Sequence, residues 1–243
     1  MHGSQRGSVE LFTDTAPARC ASLLASGDVD AALVPVIEYQ RIPDIAIIPD
    51  VCVGSKTAVR SVVLVTRKNN LRKVERLALD ESSRTSAALV KILFREFLGF
   101  EPSWNTAAPD LQSMMRDADA ALIIGDPAMT IPREFRAFDL ATLWHEFTRL
   151  GFVFAMWMAR KDSLDKIALT RFTAARDEGL ANLKHIANSY AAQIGLSPAE
   201  ITTYLTKNIV FNVDEQMQKG LTRYFELAHK HGMIPELKTP EFV

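Results

Sequence analysis

The sequence predicts an α/β protein built as two lobes, with mostly parallel sheets and a helical C-terminal extension. Three observations carry this. Short β-branched runs alternate with helical patterns from the start of the chain, as α/β units around buried strands do. A unit of capped helix, acidic turn and buried strand occurs twice. Beyond Ser163 the strand signal stops and the pattern is almost wholly helical. With 243 residues, 48% of them hydrophobic, the chain can bury a substantial core in one large domain or two small lobes.

In chain order, Val9 to Phe12 reads as a short strand. Thr15 caps the helix that follows, with Pro17 in its first turn and Gly27 closing it. Ala31 to Val34 and Ile45 to Ile48 read as buried strands bounded by Pro35, Pro43 and Pro49. Val51 to Val53 follows, and Val59 to Thr66 is a longer candidate. Leu77 to Leu79 is a strand. From Ala87 to Leu98, Leu89, Val90, Leu93, Phe94 and Phe97 recur at helical spacing, with Lys91, Arg95 and Glu96 on the other side and Gly99 as the stop. Ala120 to Ile124 is a buried strand and Phe152 to Ala159 an aromatic-rich one. Ser197-Pro198-Ala199-Glu200 is a capping box. Met217, Leu221, Tyr224, Phe225 and Ala228 form a last apolar stripe, stopped at Gly232.

The internal repeat organises these elements. Ala16-Pro17 opens a helix that runs into Asp28-Val29-Asp30-Ala31-Ala32-Leu33-Val34, and Ala108-Pro109 opens one that runs into Asp117-Ala118-Asp119-Ala120-Ala121-Leu122-Ile123. Two copies predict two lobes, with a ligand held where strand ends face each other. Residues 1–66 with 157–243 are expected to form the first lobe and residues 67–156 the second. The strands around Ser61 to Thr66 and Phe152 to Ala159 would cross between them as a hinge whose closure excludes water.

Composition narrows the partner. With 28 Lys+Arg against 29 Asp+Glu and no long run of one sign, the chain offers no footprint for nucleic acid or an anionic membrane. A small molecule is expected. Cys20 and Cys52 lack CxxC spacing and read as buried thiols in a reducing compartment. The opening MHGSQRGSVELF has neither the basic start nor the apolar stretch of a secretory leader, and no apolar segment reaches membrane-spanning length. The expected setting is the cytoplasm.

The chemistry concentrates in Asp80-Glu81-Ser82-Ser83-Arg84-Thr85-Ser86, between a strand and a helix. Four hydroxyls and one guanidinium in five positions, beside the free N–H groups of a helix start, outline an anion site for a carboxylate or phosphate. A single hydroxyl suffices as a cap; a plain capped helix with a solvent-facing Arg is the alternative. Gly54-Ser55-Lys56-Thr57 is a second donor set or a polar turn. At Ile124-Gly125-Asp126-Pro127, Gly125 lets a ligand approach the backbone and Asp126 is a proton acceptor or relay, or a turn residue. Glu38 and Tyr39 hold the corresponding place in the first lobe. Trp144, Phe147 and Trp157 are cleft or core, with core favoured. The five histidines form no HExxH pattern, so no metal site is expected. The absence of G-x-S-x-G, Walker and GxGxxG motifs disfavours covalent hydrolysis and nucleotide chemistry.

Leu24 to Pro35 (LASGDVDAALVP), Ile37 to Pro43 (IEYQRIP), Asp80 to Ser86 (DESSRTS), Leu122 to Pro127 (LIIGDP) and Phe152 to Trp157 (FVFAMW) together resemble the chorismate dehydratases of the futalosine route to menaquinone. The likeness covers nearly the whole chain in order. It implies a two-lobed fold of the type II periplasmic-binding-protein kind and a carbon–oxygen hydro-lyase that needs no cofactor. Chorismate, a dicarboxylate, would lose water to give 3-[(1-carboxyvinyl)oxy]benzoate: a ring proton is removed, hydroxide leaves and the ring becomes aromatic. Few strong bases are visible, which makes the substrate's own side-chain carboxylate the candidate proton acceptor, with the protein supplying position and charge stabilisation. By resemblance, Ser55, Ser82, Ser83, Arg84, Thr85 and Ser86 bind the substrate carboxylates, with Gly125 and Asp126 as cleft wall, hydroxyl contact or, for Asp126, catalytic group. Family members usually begin with a strand ending in Ser-Tyr-Leu-Asn, whose Asn points into the cleft; this sequence has none. A sheet position is therefore expected to stand unfilled and the cleft to lack that side chain. The alternative function is a non-catalytic binding or sensor protein for small carboxylates on the same scaffold.

Overall fold

A computed structural model describes residues 3–5, 7–14, 16–168 and 170–243; the caps expected of Thr15 and the structure around His2 lie outside them. Helix α1 (Pro17–Ser26) has Pro at its start and closes on Gly27, whose positive φ of 81° only glycine adopts without strain. It leads to β1 (Ala31–Pro35) and then β2 (Ile45–Ser55). The two runs expected at Ile45 and Val51 are one strand, broken by a register shift between Ile47 and Cys52 where Asp50 takes a positive φ. Strand β3 (Val62–Thr66), β4 (Arg76–Asp80), α2 (Arg84–Ile92), β5 (Ser103–Ala107), α3 (Leu111–Asp117), β6 (Ala120–Ile124), β7 (Arg136–Asp139) and α4 (Leu140–Thr148) follow. Strand β8 (Phe152–Arg160) then leads to helices α5 (Leu164–Ile167), α6 (Phe172–Ala181), α7 (Leu183–Ile194), α8 (Pro198–Thr203) and α9 (Glu215–Lys230). The Ser197 capping box and the buried stripe of α9 form as the sequence predicts.

Two sheets result, one of three strands in the order β1-β8-β2 and one of five in the order β5-β4-β6-β3-β7. The expectation of mostly parallel sheets is corrected: four of the six pairings among the described residues are antiparallel. The cause is the route of the chain. Strand β8 returns from the other sheet and enters between β1 and β2 head to tail, and β3 arrives in the five-stranded sheet from the opposite side to β4 and β6. Val62–Thr66 pairs within the five-stranded sheet and Phe152–Arg160 within the other, so residues 56–61 and 149–151 connect the two sheets.

The strand expected at Val9 to Phe12 does not form among the described residues; Leu11 and Phe12 are 43% and 63% exposed. Apolar composition without a surface to cover it makes no strand. The largest buried apolar cluster joins the two sheets, running from Leu24, Val34 and Ile47 to Leu64, Leu77 and Leu122 through α2, α4 and α9. Trp144, Phe152 and Tyr224 lie at its centre, with Phe152 edge-on to both neighbours.

Candidate anion site at the first turn of α2

Strand β4 ends at Asp80 and the chain turns straight into α2, so residues 82–86 sit at the C-terminal edge of the five-stranded sheet. The turn is made by Asp80, whose Oδ1 accepts from Ser82 N at 2.8 Å and from Ser82 Oγ at 2.6 Å. Arg84, Thr85 and Ser86 form the first helical turn, and among the described residues no side chain caps it. Their N–H groups have no partner within the helix. Ser83, Thr85 and Ser86 are nonetheless 5%, 2% and 4% exposed. A buried helix start without a cap offers N–H donors and the positive end of the helix dipole, the features that favour an anion.

The other lobe closes over this turn. Ala18 N of α1 donates to Ser82 O at 3.2 Å, and Ile37 N, in the 3-10 turn after β1, donates to Thr85 Oγ1 at 3.3 Å. Tyr224 of α9 donates to Thr85 O at 3.0 Å, and burial pushes its phenol up, fixing it as a donor. Ser55 ends β2 opposite Phe152, whose ring meets Tyr224 at 5.1 Å. The Oγ of Ser55 and the Oδ2 of Asp80 are buried without a hydrogen-bond partner among the described residues.

Not every expected site residue is free. Glu38, 2% exposed, lies between two guanidiniums: Arg84 Nη1 donates to its Oε2 at 2.8 Å and Arg41 Nη1 to its Oε1 at 3.0 Å. Glu38 is thus an anion already paired, and Arg84 serves it. The hydroxyl of Tyr39 is engaged as well. It donates to Thr239 O at 2.9 Å and accepts from Glu241 N at 2.9 Å, which turns it to the C-terminal tail. Gly125 and Asp126 are exposed at the end of β6, where Gly125 precedes and Asp126 opens a short 3-10 turn. Gly125 combines φ 71° with ψ −150°, a glycine-only conformation, and its N–H donates to Ser61 O at 2.8 Å in the first crossing. Tyr204 donates to Ser61 Oγ at 2.8 Å; burial raises its phenol and the nearby Asp126 charge adds to the rise.

The sequence placed Asp80 in the hydroxyl-rich segment without a role of its own, read Tyr224 only as part of an apolar stripe and Ser61 only as part of a crossing strand, and gave Tyr204 no signal as a site residue. Asp139 was missed too. It caps α4 through Thr142 N at 3.0 Å while accepting from Val59 N at 3.2 Å and Arg60 N at 2.6 Å, so it pins the first crossing. Trp144 is core, fully buried, with its indole N–H on Gly151 O. Among the described residues no group of three His, Cys, Asp or Glu is placed to hold a metal ion. Cys52 is buried, which pushes its thiol up to about 12, and Cys20 is only partly covered.

Comparison with known proteins gives a consistent picture. A family model described as menaquinone biosynthesis matches residues 6–230. A chorismate dehydratase of Thermus thermophilus is 32% identical over 230 residues, spanning 86% of this chain and 83% of that protein. A chorismate dehydratase of Campylobacter jejuni is 26% identical over 201 residues, spanning 81% and 74%. Among solved structures, a protein of Archaeoglobus fulgidus superposes with TM-score 0.74 at 17% identity, covering 95% of this chain and 91% of that one. The periplasmic aliphatic sulphonate binding protein of Escherichia coli gives 0.60 at 16%, covering 94% and 81%. These two establish the fold alone, that of a periplasmic binding protein.

Proposed function

The chain belongs to the menaquinone-biosynthesis family, and from that premise we propose that it dehydrates chorismate to 3-[(1-carboxyvinyl)oxy]benzoate at the first turn of α2. The observation that carries the site is the buried, uncapped helix start flanked by Ser82, Ser83, Thr85 and Ser86. A substrate carboxylate would accept from the N–H groups of that turn and from the hydroxyls, and would take up the unmet donors that burial makes costly. Ser55, with its unpartnered Oγ, is the proposed donor to the second carboxylate. Gly125 and Asp126 form the proposed wall on the far side, where the departing hydroxyl would meet the Asp126 carboxyl.

The reaction balances without an oxidant or a second substrate. The ring C–H bond breaks, its electron pair becomes a ring double bond, the C–O bond breaks, and proton and hydroxide leave as water. Aromatisation supplies the driving force. Protein groups then need only hold the two carboxylates, orient the scissile bonds and exclude bulk water. In this reading the proton passes to the substrate's own side-chain carboxylate, with Asp126 as the protein group next in line. A cytoplasmic setting goes with a biosynthetic step on a small acid. Among the described residues no helix is long and apolar enough to cross a membrane.

The test is direct. Purified protein incubated with chorismate and nothing else should yield an aromatic product lighter by one water, at a rate proportional to enzyme. Chorismate that binds but is recovered unchanged would instead establish a carboxylate-binding protein on this scaffold.

A further inference from the structure

We propose that Arg84 is a positioning residue: acting through Glu38, it latches the first turn of α2 to the three-stranded lobe and so holds the anion site in its closed form. The inference rests on the proposed function for the identity of the ligand, while the latch itself rests on geometry. Arg84 belongs to the five-stranded lobe and Glu38 to the turn after β1 in the other. The Glu38 side chain is 3% exposed and receives Arg84 Nη1 at 2.8 Å and Arg41 Nη1 at 3.0 Å. Arg84 Nη2 also donates to Ser22 Oγ of α1 at 3.3 Å, and Arg41 Nη2 to Met233 O at 3.2 Å. Five contacts from the three-stranded lobe and its helices therefore converge on residues 82–85: this ion pair, Arg84 to Ser22 Oγ, Ala18 N to Ser82 O, Ile37 N to Thr85 Oγ1 and Tyr224 to Thr85 O.

A substrate carboxylate that took Arg84 for itself would strand a buried Glu38 on Arg41 alone, and an ion buried without its full set of partners is costly. The cheaper arrangement keeps Arg84 on Glu38 and gives the substrate the neutral donors of the helix turn. Those donors are buried, so the lobes must part for a ligand to enter and rejoin to bind it. A contact that favours the closed form raises apparent affinity by the fraction of molecules it keeps closed. Arg84 thus sets how tightly chorismate binds, without touching it.

A double-mutant cycle on the full chain tests this. Arg84→Gln should raise KM for chorismate about tenfold with kcat within about twofold, the pattern of lost uniform binding. Glu38→Gln should do the same, and the double variant should be no worse than either single one. If Arg84 were a ligand, Glu38→Gln would free it and leave KM unchanged or lower, and the double variant would show no shared loss; either result overturns the proposal. A second measurement needs neither substrate nor the Glu38 variant. In solution scattering, ligand-free Arg84→Gln should have a larger radius of gyration than ligand-free wild type, with its far-UV circular dichroism unchanged at the temperature of measurement. Equal radii overturn the latch. Failure of wild type to convert chorismate would remove the proposed reaction, and the scattering comparison would still decide the latch.

Discussion

Ser86 stands in the first turn of α2, 4% exposed, with the helix N–H groups beside it and no cap above them. A hydroxyl donating to a carboxylate in such a place contributes about 1.5 to 3 kcal/mol. Ser86→Ala should therefore raise KM for chorismate by roughly tenfold or more, with little change in melting temperature. Unchanged KM would exclude Ser86 from the site. The sequence showed this hydroxyl surplus because one Ser is enough for a cap and four are not needed for it. It did not show that Arg84 and Glu38 satisfy each other, because the two are far apart in the chain and nothing in a local pattern says which carboxylate a guanidinium will find. The partners of Tyr39, Thr239 and Glu241, were hidden for the same reason: they lie at the far end of the sequence.

Among the elements, α9 shows how closely the C-terminal extension is fitted to the crossing between lobes. A Cβ at Gly220 would stand 2.0 Å from Gly151 O, so the helix can seat itself there only with glycine. In an isolated helix Gly→Ala is stabilising by about 1 kcal/mol. Here Gly220→Ala should destabilise by about 1 to 3 kcal/mol through overpacking, read as a lower melting temperature; an equal or higher one would mean that α9 does not pack on Gly151. The start of the same helix carries a charge-dependent contact. Asp214 caps Met217 N at 2.9 Å and meets Lys56 Nζ at 2.8 Å, and the Lys56 hydrogen bond, with the cap, holds its carboxyl below the usual range. A depressed carboxyl contributes stability above its unfolded value and loses it as pH falls through the folded one. Asp214→Asn should accordingly unfold at lower urea than wild type at neutral pH, and the difference should vanish in strong acid. A difference that persisted there would assign it to packing. Strands β1, β6 and β8 were legible because they are buried apolar runs. Strands β5 and β7 were not, since their residues are largely exposed and give no such run. The π-helical turns at Leu93–Leu98 and Tyr204–Asn208 have no sequence signal either.

At the scale of the molecule, two sheets share one continuous apolar cluster, with the proposed anion site where α1, α2 and α9 meet. The repeat of helix, acidic turn and strand announced the two sheets. Strand direction was hidden, because it depends on the side from which the chain re-enters a sheet, and composition records only that a strand is buried. Under the proposed site, burial of the helix start calls for lobe movement: closure would bring hydroxyls, amides and a dry environment together around the substrate. The most direct measurement is the crystal structure of the protein with chorismate or its dehydrated product bound. A ligand carboxylate should lie within hydrogen-bond distance of the backbone N–H groups of Thr85 and Ser86, with Arg84 still on Glu38. A ligand held elsewhere, with the first turn of α2 empty, would contradict the account.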